Sequence, residues 1–219
     1  MNWPYYVARD EGAFVAAGIE IEEHIYSATR DAVSALLEGA LEVAHVIPDR
    51  GWPPPLRAVA RVLDRPTYRL FGRPGRVGVS ALDSGDGILV RTLLRHLGTD
   101  GELVRVGDPE ARVTALLAGR VEATMVSEPF TFTLEDAGVP LLGDLRQALP
   151  DFPFVLCVVR ENGPAGLETY LDVLRRARER LRDPASAAVL AGVTGCTLEV
   201  AERVRRLYLR DGHLGRFEP

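Results

Sequence analysis

The sequence contains no lysine: all 26 of its basic residues are arginine. Schiff-base catalysis, covalently held pyridoxal phosphate and a P-loop lysine are therefore excluded. Cysteine is scarce as well. Cys157 and Cys196 do not form a Cys-x-x-Cys pair, and none of His24, His45, His96 and His213 stands four residues from another. No metal site is expected from such spacing, and no cofactor. No run approaches the ~18 consecutive apolar residues of a membrane span. Basic clusters are limited to pairs such as Arg175-Arg176 and Arg205-Arg206, and the net charge is −5. Nucleic acid is not an expected partner, because neutralising phosphates takes clustered cations. The opening Met1-Asn2-Trp3-Pro4-Tyr5-Tyr6 has neither the basic region nor the apolar stretch of a signal peptide, so the protein is expected to be cytoplasmic as encoded.

What is present is an ordinary globular composition. Hydrophobic residues make up 47% of the 219 and charged residues 26%, enough to build a core in one larger domain or two small lobes. An internal repeat organises it. Val33 to Val46 aligns with Val113 to Val126, 80 residues on, with seven of fourteen positions identical. In each copy a helical pattern ends at a glycine, Gly39 or Gly119, and a short apolar strand follows. Asp108, Pro109 and Glu110 are an N-cap, a first helical residue and a dipole-matched acid for the second copy. The first copy starts near Ser27 or Thr29. Strands are expected ahead of both, at Ile19 to Ile25 and Leu103 to Val106, so each half reads as β-α-β with parallel strands.

Between the copies, Arg76 to Ser80 reads as a strand that runs through a small polar loop into a helix over Ile88 to Leu97. The start of that helix is a seat for a carboxylate, sulfonate or phosphate, and equally for an ordinary cap. Phe71-Gly72-Arg73-Pro74-Gly75 reads as a hinge-like connector, and Glu161-Asn162-Gly163-Pro164 as a second one. The chain is thus expected to leave a first lobe (1–72 and 161–219), build a second (73–160), and return. Cys157 lies in the apolar run Phe154 to Val159 and reads as a buried strand thiol. Two helices, Leu167 to Leu181 and Leu198 to Arg210, are expected after it, separated by Asp183-Pro184 and a Gly-Val-Thr-Gly stretch.

The segment Tyr5-Tyr6-Val7-Ala8-Arg9-Asp10-Glu11-Gly12-Ala13-Phe14-Val15-Ala16-Ala17-Gly18-Ile19 resembles the opening of ABC-transporter solute-binding proteins for nitrate, taurine, alkanesulfonates and thiamine precursors. Gly75 to Val79 is similar to that family's first strand of lobe two. Arg112 to Val126, with Ser127-Glu128-Pro129 after it, is similar to its helix-Gly-strand stretch ending in Glu-Pro. The family has Asp where Glu42 and Glu122 stand, begins with a strand ahead of the aromatic loop, and usually carries a further helix within 46–56. A misassigned start that removes a strand and an export signal, which would make the protein periplasmic, and a reduced cytoplasmic relative are the two readings of that difference.

The resemblance implies an α/β, two-lobed, periplasmic-binding-protein-like fold of type II, reduced in size, with ligand held between lobes. It places ligand contacts at Trp3 and Tyr5, at Ser27 and Thr29, and at His45 in lobe one. In lobe two it places them at Ser80, Asp83, Ser84, Ser127 and Glu128. Each has a plain structural alternative: a stapled terminus for the rings, helix caps for Ser27, Thr29 and Ser84, a satisfied strand-end histidine for His45, and a turn residue for Glu128. The expected function is binding of a small anionic or heterocyclic molecule, with an ABC permease as further partner. The alternative is a cytoplasmic enzyme on the same fold acting on a small carboxylate or heterocycle, with a His45–Glu128 acid/base pair as its conceivable machinery.

Overall fold

The computed structural model describes residues 2–26, 29–48 and 53–218. The chain divides into two compact units, Met1–Arg65 with Pro153–Pro219, and Pro66–Phe152.

The first unit opens with α1, Trp3–Asp10, and α2, Ala13–Ala16. Pro4 sits in the first turn of α1, where a missing N–H costs no hydrogen bond, and Trp3, Val7 and Ala8 share its buried face. The stretch expected to be an aromatic loop is therefore helical. Ile19 N closes the end of α2 on Phe14 O at 2.9 Å, and Glu20 to Tyr26 then runs without ladder hydrogen bonds among the described residues, so the strand expected at Ile19–Ile25 is not formed. A strand exists through its partner's N–H and C=O groups, and none is bonded to this segment. Next come α3, Thr29–Glu38, β1, Val43–Val46, and β2, Leu56–Leu63.

The second unit follows as β3, Arg69–Gly72; β4, Gly75–Val79; α4, Gly85–His96; β5, Gly101–Arg105; α5, Pro109–Leu117; β6, Ala123–Val126; α6, Phe130–Asp136; β7, Leu141–Asp144; and α7, Leu145–Ala148. The chain then re-enters the first unit with β8, Val155–Arg160, α8, Leu167–Arg180, α9, Ser186–Thr194, and α10, Leu198–Arg210. Helix α9 was not expected. Its Gly192 reads as a break, yet it lies inside the helix, and Gly195 in the left-handed region ends it.

The first-unit sheet has the order β1-β8-β2, and β8 pairs antiparallel with both neighbours. The parallel β-α-β unit expected in the first half is thus absent. One face of this sheet packs Ala44, Val46, Leu156 and Val158 against Ala32 and Leu36 of α3. The second-unit sheet has the order β5-β4-β6-β3-β7, with β4 parallel to both β5 and β6. Here the expected β-α-β crossover through α5 is present. Phe71, Val113, Val126 and Leu134 form a core beside it.

The element boundaries have a physical reason. β3 is laddered to β6 and β7, which assigns it to the second unit, and β8 lies between β1 and β2, which assigns it to the first. The strands flanking 72/73 belong to one sheet, so Phe71–Gly75 is a turn within the second unit rather than a connector. Gly72 is required there: a Cβ would stand 2.1 Å from the Glu122 carbonyl oxygen, at φ +111°.

Both repeats end their helices alike. Ala40 N donates to Ala35 O at 2.9 Å, and Arg120 N donates to Ala115 O at 2.8 Å, around Gly39 (φ +82°) and Gly119 (φ +68°). This six-to-one bond with a left-handed glycine satisfies carbonyls the helix end would otherwise leave open.

Candidate functional site

In the first unit a hollow of about 900 Å³ is lined on one side by Ile19 to Tyr26, and on the other by Ala40 to Ile47. Asn2, Tyr5, Thr29, Ala32 and Tyr170 are among the other residues that line it. Tyr5 projects from α1, and its hydroxyl donates to Glu23 Oε2 at 3.0 Å, while Arg9 pairs with the same oxygen at 2.7 Å. Burial, reinforced by the Glu23 carboxylate, pushes the Tyr5 phenol far above its ordinary value, so it remains a neutral donor. Thr29, the first residue of α3, spends its hydroxyl on Ile47 O at 3.2 Å, which ties the helix start to the end of β1.

His45 lies at the middle of this wall with both ring nitrogens engaged. The Asn2 side-chain amide donates to Nδ1, and Tyr170 Oη lies 3.1 Å from Nε2. A ring that accepts at Nδ1 carries its proton on Nε2, so the Tyr170 oxygen accepts it. Burial lowers the His45 pKa to about 4, and the imidazole is neutral at pH 7. The ring packs edge-on against both Tyr5 and Tyr170. A half-buried, neutral, doubly bonded histidine is a structural pin, and the proton transfer conceived for a His45–Glu128 pair lacks a free nitrogen here.

Trp3 belongs elsewhere. It is 1% exposed, and its ring meets Tyr208 edge-on at 5.6 Å, inside the helical layer. The reading of Trp3 as a ligand contact is therefore corrected to a core residue: helical geometry at α1 turns positions 3 and 7 inward together. Ser27 lies outside the described residues.

In the second unit, the loop between β4 and α4 carries Ser80, Asp83 and Ser84. Asp83 is exposed. Ser84 is the N-cap of α4 and accepts from Gly87 N at 3.3 Å. The carboxylate seat at the start of this helix is filled from within. Asp86 accepts from Ser80 N at 3.0 Å and Ser80 Oγ at 2.5 Å, from Ser84 Oγ, and from Arg112 Nη1 at 2.6 Å. Burial alone would raise the Asp86 pKa. The two hydroxyls, the backbone N–H and the guanidinium together hold it below the ordinary aspartate value. The pair is nearly sealed, with Arg112 and Asp86 side chains 3% and 8% exposed. Neither residue was singled out by sequence reasoning, although an acid in the first turn after a serine cap was a usable signal.

Ser127 follows β6 directly and is half-buried. Glu128 beside it is buried, accepts from Arg69 at 3.1 Å and from the Thr131 hydroxyl at 3.4 Å, and leaves Oε2 without a partner among the described residues. Burial raises its pKa above the ordinary carboxylate value despite Arg69, which Glu135 shares at 2.5 Å. Glu128 is thus part of a buried ion-pair network, a role its position before Pro129 did not announce. The Cys157 thiol, in β8, is pushed up to about 12 by burial, which suppresses a thiolate there. Among the described residues no group of three or more His, Cys, Asp or Glu is placed to hold a metal ion, and no helix is long and apolar enough to cross a membrane.

No protein-family model matches the chain, and no curated protein matches it. Solved structures do. The alkanesulfonate-binding protein SsuA of Xanthomonas axonopodis pv. citri, bound to MOPS, superposes with a TM-score of 0.71 at 18% identity, over 93% of this chain and 80% of that one. The periplasmic aliphatic sulphonate binding protein SsuA of Escherichia coli gives 0.71 at 16% identity, over 94% and 75%. A zinc-bound ligand-binding component of an ABC-type import system from Staphylococcus aureus gives 0.68 at 15%, over 94% and 79%. The chain has the periplasmic-binding-protein-like fold of ABC-type solute-binding proteins. Within that fold the expected contacts sort by unit. Tyr5, Thr29 and His45 stand together along one hollow of the first unit, and Ser80 and Ser84 gather around Asp86 in the second, while Trp3 is withdrawn into the core.

Proposed function

We propose that this chain is a solute-binding protein: the receptor of an ABC-type uptake system, working with its permease, or a sensor built on the same scaffold. The observation that carries the reading is the fold match over more than nine-tenths of the chain to proteins that bind sulfonates or serve as ligand-binding components of import systems. Tyr5 and Thr29 in the first unit, and Ser127 in the second, are the polar groups we assign to solute contact, with Ser80, Asp83 and Ser84 beside α4. The ligand is a small anion or heterocycle. The internal carboxylate of Asp86 and its Arg112 partner weigh toward the heterocycle, since they already neutralise the start of α4.

A thermal-shift screen tests this. Sulfonates, nitrate, pyrimidines and aromatic acids are added singly, because a ligand that binds only the folded state stabilises it by about 2.7 kcal/mol at a hundredfold excess over Kd. At least one class is expected to raise the midpoint, and Tyr5→Ala is expected to weaken that shift. A flat response across all four classes, with calorimetry showing no heat of binding, refutes the reading.

A further inference from the structure

Helix α10 ends on a left-handed glycine. Gly212 takes φ +69°, and His213 N donates to Tyr208 O at 3.2 Å, the six-to-one bond that closes such an end. The residues that follow are turned onto β2. That strand has β8 on one side, and 213–217 supply acceptors on the other. Asp64 N donates to His213 O at 2.8 Å, and Arg61 N donates to Phe217 O at 2.6 Å. N–H groups that the ladder leaves open are satisfied in this way.

Side chains fasten the segment at both ends. His213 is buried; its Nδ1 donates to Arg65 O at 3.2 Å, and its ring packs on Tyr208. Phe217 is buried too, its ring centroid 4.9 Å from the Arg178 guanidinium and 5.1 Å from that of Arg175. Between these two rings the bonds are polar. Arg216 N donates to Asp64 Oδ2 at 2.9 Å, and Arg178 Nη2 donates to Gly215 O at 3.1 Å. Asp64 is itself buried, and Arg61 Nη1 holds its other oxygen at 3.0 Å.

The residues so fastened are those by which the chain leaves the first unit. Its first stretch ends at Arg65, and its second begins at Pro153. Phe154 N donates to Leu63 O at 2.9 Å, so 61–65 are held by the returning chain as well as by the segment after α10. We propose that residues 211–217 are a strap that sets how freely the chain moves at both of these places. Seated, the strap orders 61–65 and, through Leu63, Phe154. Lifted, it releases both while the rest of the unit stays folded. The separation follows from what each part buries. The strap contributes two buried rings, His213 and Phe217, whereas α3, β1 and β8 share a cluster of Leu36, Val46, Leu156 and Val158 that includes neither. This inference stands on contacts inside the first unit and does not depend on the solute reading.

Hydrogen exchange of single amides, followed by NMR on the full chain, tests it with three variants. Phe217→Ala removes the ring beside the two guanidiniums. Gly215→Ala sets a methyl against Asp64 Oδ2, and whichever of the two gives way, the Arg216 N–H bond is lost. Glu218→Ala changes an exposed side chain just past the strap and is expected to behave as the parent. In either of the first two variants, the amides of Arg61, Asp64 and Phe154 are expected to exchange at least tenfold faster. The amides of β1 bonded to β8, and those of β4 to β6, are expected to keep their parental rates. The proposal fails if Arg61 and Asp64 speed up and Phe154 does not, because the strap then covers an edge and governs nothing beyond it. It fails equally if β1 and α3 speed up with Phe154, which is a loss of stability across the unit. Parental rates at all three amides in both variants, or a Glu218→Ala response matching theirs, also overturn it. Because exchange is read without solute, a failed ligand screen does not touch these outcomes.

Discussion

Replacing Asp86 with alanine removes the carboxylate around which the second unit arranges four donors. Arg112 would remain with its charge in a site that is 3% exposed, its Nε already lacking a partner among the described residues. Removing one partner of a buried pair costs about 3–5 kcal/mol, against about 0–1 kcal/mol for an exposed pair such as Arg206–Glu202. The Ser80 backbone N–H loses its acceptor as well. A midpoint drop on the order of 10 °C follows for a chain of this size. Urea titration followed by far-UV circular dichroism measures the cost, and Asp86→Ala with Arg112→Met completes a double-mutant cycle. The double variant is expected to recover a large part of the loss, since no charge is then stranded. Formate is expected to restore stability to the single variant, by filling the seat at α4, and not to the parent. The linkage has a sign: with its folded pKa depressed, Asp86 contributes stability that is full above about pH 4 and lost as pH falls below it. The variant lacks that acid limb. A cost under about 1 kcal/mol, or no formate effect, refutes the assignment of Asp86 as the internal anion.

The remaining expectations concern the first unit and the repeat. His45 titrates near 4 when folded and near 6.5 when free, so stability is full above pH 6.5 and declines toward pH 4, by on the order of 3 kcal/mol. His45→Gln flattens that slope in a pH series of urea midpoints, and an unchanged slope contradicts the neutral ring. Trp3→Ala costs about 3–5 kcal/mol through loss of the Tyr208 contact, while Trp3→Phe costs clearly less because it also removes an unpartnered buried N–H. Equal losses in thermal melts would place Trp3 outside the core. Gly119→Ala costs about 1–2 kcal/mol from its left-handed φ alone, the space around it being open. Gly39→Ala is expected to cost a similar amount in the same assay, because the only atoms its methyl meets are the end of the flexible Arg160 side chain, which can move aside.

Residues on this chain differed in how legible they were. The helix of the second repeat could be read to the residue, because Asp108 and Pro109 act on their own backbone neighbours and Ala111 N does donate to Asp108 at 2.8 Å. Helix α10 matched its expected span, as an apolar stripe and the Thr197 cap both lie within one turn of the positions they decide. Ile19–Ile25 carried an equally strand-like alternation and formed no strand. Alternation states which face a segment would bury, but pairing is supplied by another stretch of chain. Trp3 illustrates the same limit. Its neighbours suited an aromatic loop, and Tyr208, more than two hundred residues away in sequence, made it core.

For the site the division is sharper. Sequence alone identified two αβ repeats 80 residues apart, the glycines that end their helices, the serine cap of α4 and the exclusion of lysine chemistry, all of them local matters of covalent structure and spacing. Tertiary structure decided that Asp86 rather than an outside anion sits at α4, that His45 has both nitrogens occupied, and that Glu128 is held by Arg69. Each of those depends on which distant side chain arrives within about 3 Å, and burial then sets the charge it carries. The repeat itself passed from a likeness between two segments to a difference between two units. In one copy the strand after the helix pairs with the parallel strand β4, and in the other it pairs antiparallel with β8.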